Sequence, residues 1–254
     1  MDEKPFLHLS GCEYDIIILY NYTNFNLRFC SPLNCTETDM HPNCPIYRTF
    51  KRYSSINVVA FGYGVWVAAL IFDKYLRHLE VKSRFRTFRL LKKISKTVAV
   101  NGTLCPVSNI WGMPQEVFNN TLATLGKEVN ANIYTYNTSA CINKYNSNML
   151  AHNEELLLKY KEVAPHRGLE DVYNELVAIK ENYTFCNSLF WNKIIICNND
   201  TVIPANNQER FWSEYEMGID RNNRLSFNAQ NFTIEKQDAP HFPFFSWKNW
   251  GEIL

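Results

Sequence analysis

The sequence predicts an α/β fold: a mostly parallel sheet with helices on both faces and a helical segment inserted as a lid. Three observations lead there. Short apolar runs rich in β-branched residues recur along the chain, separated by stretches with helical apolar spacing. Three of the predicted strands run into turns that carry distinctive residues: Gly62-Tyr63-Gly64, Asn198-Asn199-Asp200 and Pro240-His241. Residues 106–165 break the strand–helix rhythm with a mixed, largely helical stretch.

The elements follow in order. Asp15–Tyr20 (DIIILY) reads as a buried strand. Residues 21–44, dense in Asn, Cys and Pro, read as an irregular connection, and a short helix is expected over Ile46–Arg52. Ile56–Phe61 is the next buried strand. Gly64–Leu79 is a helix, because Val65, Ala68, Ala69, Ile71 and Phe72 share one face. Thr97–Val100 is a strand ending at Asn101-Gly102. Leu169–Lys180 is an amphipathic helix, and Lys193–Cys197 is a strand that stops at Asn198-Asn199-Asp200. Pro204–Tyr215 opens with proline and reads as a helix. Asn231–Glu235 is the last strand, and Phe244–Leu254 is expected to be a short helix. The domain reading is a core of residues 1–105 and 166–254, with 106–165 as the lid.

Bulk composition narrows the functions. The 254 residues are 46% apolar and 20% charged, enough to bury a sizeable core. A net charge of +1 gives no global field for nucleic acid or membrane. The longest apolar run, Val58–Phe72, is short for a bilayer span and holds two glycines. Met1–Pro5 lacks the basic flank and apolar core of a secretory leader, so a cytoplasmic location is expected. None of the eight cysteines forms a CxxC pair, which argues against a zinc site and for reduced thiols.

The chemistry lies in the turns. A strand, Gly-x-Gly and a helix make the shape of a nucleophile elbow, in which a serine normally stands at the first glycine. In α/β-hydrolases the chain order is serine, acid, histidine, and here the order is Gly62, Asp200, His241. A histidine accepts the serine proton and an aspartate fixes the imidazole tautomer. The residue after the nucleophile donates its backbone N–H to the oxyanion, and here that residue is Tyr63. Each piece also has a plain structural reading: Gly62 as a tight turn, Asp200 as a cap for Thr201–Gln208, His241 as a packed ring.

The segments VVAFGYGVWVA, VAVNGT, IWGMP, NNDTVIPANNQERFW and PHFPF together resemble the BioG-type pimeloyl-acyl-carrier-protein methyl ester esterases. The resemblance covers residues 13–254 and implies an α/β-hydrolase fold with a helical lid. It implies hydrolysis of the methyl ester of a pimeloyl chain on acyl carrier protein, a late step toward the biotin precursor, with no metal or organic cofactor. It assigns Asp200 as the acid and His241 as the base, and puts Gly62 where the family has serine. Asn101 and Gly102 match a strand-end segment and take no catalytic role from that match.

Two departures follow. Without a serine at 62 the covalent route is lost, so the chain is expected to be inactive as written. The N-terminus also reads as shortened: if residues 6–12 are the first strand, only Glu13 and Tyr14 separate it from Asp15, and a parallel crossover needs about a dozen residues. Three readings stay open: an inactive relative that binds an acyl chain or its carrier, an active family enzyme carrying a single Ser→Gly change, and a scaffold protein that kept the sheet. Trp111, Met113 and Phe118 are candidates to line an acyl tunnel, with lid-to-sheet packing as the alternative. Residues 74–96 hold nine Lys or Arg. Acyl carrier proteins are acidic, so Arg84, Arg86 and Arg89 are candidate carrier contacts, and a solvated helix end is the alternative.

Overall fold

A computed structural model describes residues 2–11, 13–20, 22–23, 52–81, 92–133, 135–183, 191–216 and 232–254. Its centre is a four-stranded, all-parallel sheet: β1 (Ile56–Phe61), β2 (Ile94–Val100), β3 (Lys193–Asn199) and β4 (Thr233–Pro240), in the order β1-β2-β3-β4. The fold is α/β-hydrolase-like. The two middle strands are covered on both faces, which is why they read as unbroken apolar runs: Val98 to Val100 and Ile194 to Cys197 are at most 1% exposed.

Helix α1 (Tyr63–Val81) leaves the end of β1 directly and buries Val65, Trp66 and Ala69. Between β2 and β3 stand α2 (Gln115–Asn130), α3 (Ala140–Met149), α4 (Glu154–Glu162) and α5 (Leu169–Asn182). Ser139 and Asn153 cap α3 and α4 by accepting from the Ile142 and Leu156 amides. Leu125, Tyr136, Ile142 and Leu169 form a satellite core that ties α2 and α3 to α5. Helix α6 (Ala205–Glu216) returns toward β4, and the Trp212 indole donates to the Gly102 carbonyl at 3.0 Å, fastening α6 to the loop after β2.

Several expectations are corrected. Asp15–Tyr20 is not a buried strand. It makes no ladder, and Ile16, Ile17, Leu19 and Tyr20 are between 41% and 58% exposed. The run lines a cavity beside β1 without pairing to it, so among the described residues β1 is an edge. Residues 6–11 are not a strand either, and Cys12, the last residue of that expected strand, lies outside the described residues. Lys4–Phe6 is a 3-10 turn, and Ser10 bridges to Asn249 in the C-terminal tail. Phe6 packs edge-on against Phe244, at 4.8 Å between centroids, so the start of the chain serves the aromatic core. The tail forms two 3-10 turns, Phe244–Ser246 and Trp250–Glu252. The expected helix over 46–52 lies outside the described residues except for Arg52. Cys105, Cys141 and Cys197 are free thiols, and burial pushes the Cys197 thiol up to about 12.

Candidate active site

Parallel strands in register deliver their following loops to one end of the sheet. Phe61 pairs with Val100 and Val100 with Ile195, so Gly62 and Asn101 leave the sheet side by side. A register shift near Asn199 sets it opposite Pro240, which brings Asp200 and His241 together. Ligands of open α/β sheets bind at this end.

Gly62 has φ +55°, a backbone conformation that costs an L residue about 1–2 kcal/mol and glycine almost nothing. Its amide donates to the Val100 carbonyl at 3.0 Å and its carbonyl accepts from Val65 at 3.2 Å. A Cβ placed on Gly62 would sit 3.4 Å from His241 Nε2 and 3.7 Å from its Cε1, both ordinary contacts. Gly102 secures the elbow from the neighbouring strand. A Cβ there would collide with the Gly62 carbonyl oxygen, so only glycine lets the two strand ends approach this closely.

Asp200 is buried and fully used. Its Oδ1 accepts from the Val202 and Ile203 amides, both at 2.9 Å. Its Oδ2 accepts from Gln208 Nε2 at 2.8 Å and from His241 Nδ1 at 2.7 Å. The two readings of Asp200 are therefore both true: one oxygen caps the turn and the other orients the imidazole. An Nδ1–H that donates to a carboxylate leaves Nε2 with the lone pair. The His241 ring is 2% exposed, stacks obliquely on Phe61 at 4.8 Å between centroids, and turns Nε2 toward Gly62.

Asn101 carries more than its sequence match suggested. It is wholly buried at φ +47°, in the left-handed region that asparagine tolerates. Its Nδ2 donates to the His241 carbonyl at 2.7 Å and to the Pro240 carbonyl at 3.3 Å, and its Oδ1 accepts from the Cys197 amide at 2.8 Å. One side chain thus joins the ends of β2, β3 and β4 under the histidine. The available signal was Asn-Gly directly after an apolar strand.

A cavity of about 640 Å³ opens at the elbow and is walled by Gly62, Tyr63, His241, Met113, Phe118 and Tyr145, among others. The Tyr63 amide stands at the first residue of α1, where the helix offers it no carbonyl. Its hydroxyl donates to Met113 Sδ at 2.9 Å, and burial holds the phenol well above its usual range. Met113 and Phe118 line this cavity, whereas Trp111 does not: its indole donates to Glu214 Oε2 at 2.8 Å, tying the loop before α2 to α6. Tyr22 is an unforeseen wall residue. Its hydroxyl lies 2.9 Å from where a Cβ on Gly64 would be, and its amide donates to Glu175 at 3.3 Å. Arg84, Arg86 and Arg89 lie outside the described residues. No group of three potential metal ligands occurs among the described residues.

The family model described as pimeloyl-ACP methyl esterase BioG matches residues 7–228. A malonyl-[acyl-carrier protein] O-methyltransferase of Bacteroides fragilis is 30% identical over 223 residues, 87% of this chain, and the chain spans only 36% of that relative's length. An uncharacterised protein of Haemophilus influenzae is 20% identical over 95% of this chain and 83% of its own. The crystal structure of BioG from Haemophilus influenzae superposes with a TM-score of 0.64 at 19% identity, over 99% of this chain and 89% of that one.

Proposed function

Because the chain belongs to the pimeloyl-ACP methyl esterase BioG family, we propose that it is built to take the methyl ester of a pimeloyl chain carried on acyl carrier protein, in a form that lacks the covalent serine route. The observation that carries this reading is the 3.4 Å between His241 Nε2 and the Cβ position of Gly62, with Nδ1 held by Asp200 at 2.7 Å. A serine hydroxyl in that position would be within reach of the imidazole, which would draw its proton as it attacks the ester carbonyl. The Tyr63 amide would receive the developing oxyanion. Met113 and Phe118 would hold the chain's methylenes, and residues 106–165 would act as the lid that closes over them. Arg84, Arg86 and Arg89 would face the acidic carrier.

The test is Gly62→Ser, assayed on pimeloyl-carrier methyl ester by release of the free acid. The expected outcome is a gain of about three orders of magnitude or more over the unaltered chain, with the introduced hydroxyl labelled covalently by a fluorophosphonate. Gly62 itself favours a second reading, a protein that binds the acyl chain or its carrier without turning it over. That reading takes precedence if Gly62→Ser folds and gains nothing.

A further inference from the structure

The dyad poses a question that the serine-free reading leaves unanswered. Asp200 is oriented by three donors, His241 is fixed by Asp200 and packed on Phe61, and Asn101 holds the loop beneath it. Among the described residues Nε2 has no hydrogen-bond partner, although the ring around it is nearly fully buried, and His241 lies in the wall of the cavity. The space in front of Nε2 is the place a side chain on residue 62 would fill, and glycine leaves it to whatever small molecule enters. An imidazole in this tautomer is a general base whether the proton it takes comes from serine or from another hydroxyl.

We propose that His241 and Asp200 catalyse ester hydrolysis by a single displacement, with water seated beside Gly62 as the nucleophile and no acyl-enzyme. This rests on the reading of the cavity as an ester site. The water oxygen forms a bond to the ester carbonyl carbon while its proton passes to Nε2, and Nδ1 keeps its proton, donating it in a hydrogen bond to the Asp200 carboxylate. The carbonyl oxygen becomes an oxyanion against the Tyr63 amide. The tetrahedral intermediate then collapses, the carbon–methoxy bond breaks, and Nε2–H protonates the departing methoxide. Methanol and a carboxylic acid leave, and the acid loses its proton to solvent. Water is the only other reactant. The geometry resembles a triad with one member removed, which elsewhere retains catalysis roughly three to four orders above water.

The experiment uses the purified full chain and pimeloyl-carrier methyl ester, with rates read by methanol release and intact mass read after rapid quenching. The unaltered chain is expected to turn over linearly without a burst, to show no mass adduct, and to keep its rate after fluorophosphonate treatment. His241→Gln, which keeps the volume, should lose about 100-fold. Gly62→Ala puts a methyl group where the water would stand and should lose about tenfold with the dyad intact, while Gly62→Ser should gain both a burst and an adduct. The proposal is overturned if the unaltered chain is no faster than His241→Gln, or if it forms an acyl adduct. A fast Gly62→Ser beside a silent unaltered chain overturns the water route alone and leaves the ester site standing. Silence from every variant overturns both.

Discussion

At Asn101 a single side chain decides how three strand ends meet. Its amide holds the two carbonyls that flank the histidine turn, and its oxygen takes the Cys197 amide. Replacing it with alanine leaves a buried N–H and two carbonyls without a partner, which costs about 1–3 kcal/mol. Asn101→Asp keeps the left-handed backbone but turns both donated bonds into repulsions. In a Gly62→Ser background both changes should lower the midpoint of urea unfolding and reduce kcat for ester hydrolysis about tenfold while KM stays near its starting value. A KM that rises as kcat holds would remove Asn101 from the positioning of His241. Asp200 and His241 were legible in the sequence because strand ends and chain order suffice to nominate them. Asn101 was not, since its partners are backbone groups 96 to 140 residues away. Tyr22 was hidden among polar neighbours that carry no periodicity.

The elements divide the same way. Strands buried on both faces announce themselves by composition, so β2 and β3 were readable, and the half-buried edge strand β1 and helix α1 were read from their apolar spacing. The run Asp15–Tyr20 has the same composition and takes no place in the ladder. Apolar β-branched residues report a preference for burial and say nothing of which backbone will pair with them. β4 was read too short at its C-terminal end. Its last residues, Gln237, Asp238 and Pro240, look like a loop, and it is the register with β3 that keeps them extended. Trp111 was nominated for the cavity as an aromatic residue of the expected lid, and its indole N–H is bonded to Glu214 instead. The contact between the first two strand ends gives a sharper prediction. Gly102→Ala forces a methyl group into the Gly62 carbonyl and to 2.6 Å from Val65 Cγ2, so the ends of β1 and β2 must separate. Overpacking of this kind costs about 1–3 kcal/mol. Thermal unfolding of Gly102→Ala should show a lowered midpoint, and Trp212, bonded to the Gly102 carbonyl, should report the shift in its fluorescence. An unchanged midpoint would mean that the strand ends are not held this closely.

At the scale of the whole molecule, charge has to act locally. The net charge of +1 provides no long-range field, yet nine of the 23 residues from 74 to 96 are Lys or Arg and one is acidic. This stretch runs from the later turns of α1 to the start of β2, and α1 begins at the elbow. Among the described residues no helix is long and apolar enough to cross a membrane. An acidic carrier protein that must bring its acyl chain to the cavity would gain most from a basic surface within a Debye length of its docking position, about 8 Å at physiological ionic strength. Reversing Arg84, Arg86 and Arg89 to glutamate changes the local charge by six units and leaves the core untouched if these side chains face solvent. The expected result is a carrier affinity about 10- to 100-fold weaker at low salt, mostly through the association rate, and converging with the unaltered chain near half-molar salt, where exposed charges are screened. The neutral replacements Arg84→Gln, Arg86→Gln and Arg89→Gln should fall between the two, because steering follows charge and not the loss of a particular side chain. Equal affinity across all three proteins at low salt would assign the basic run to solvation alone.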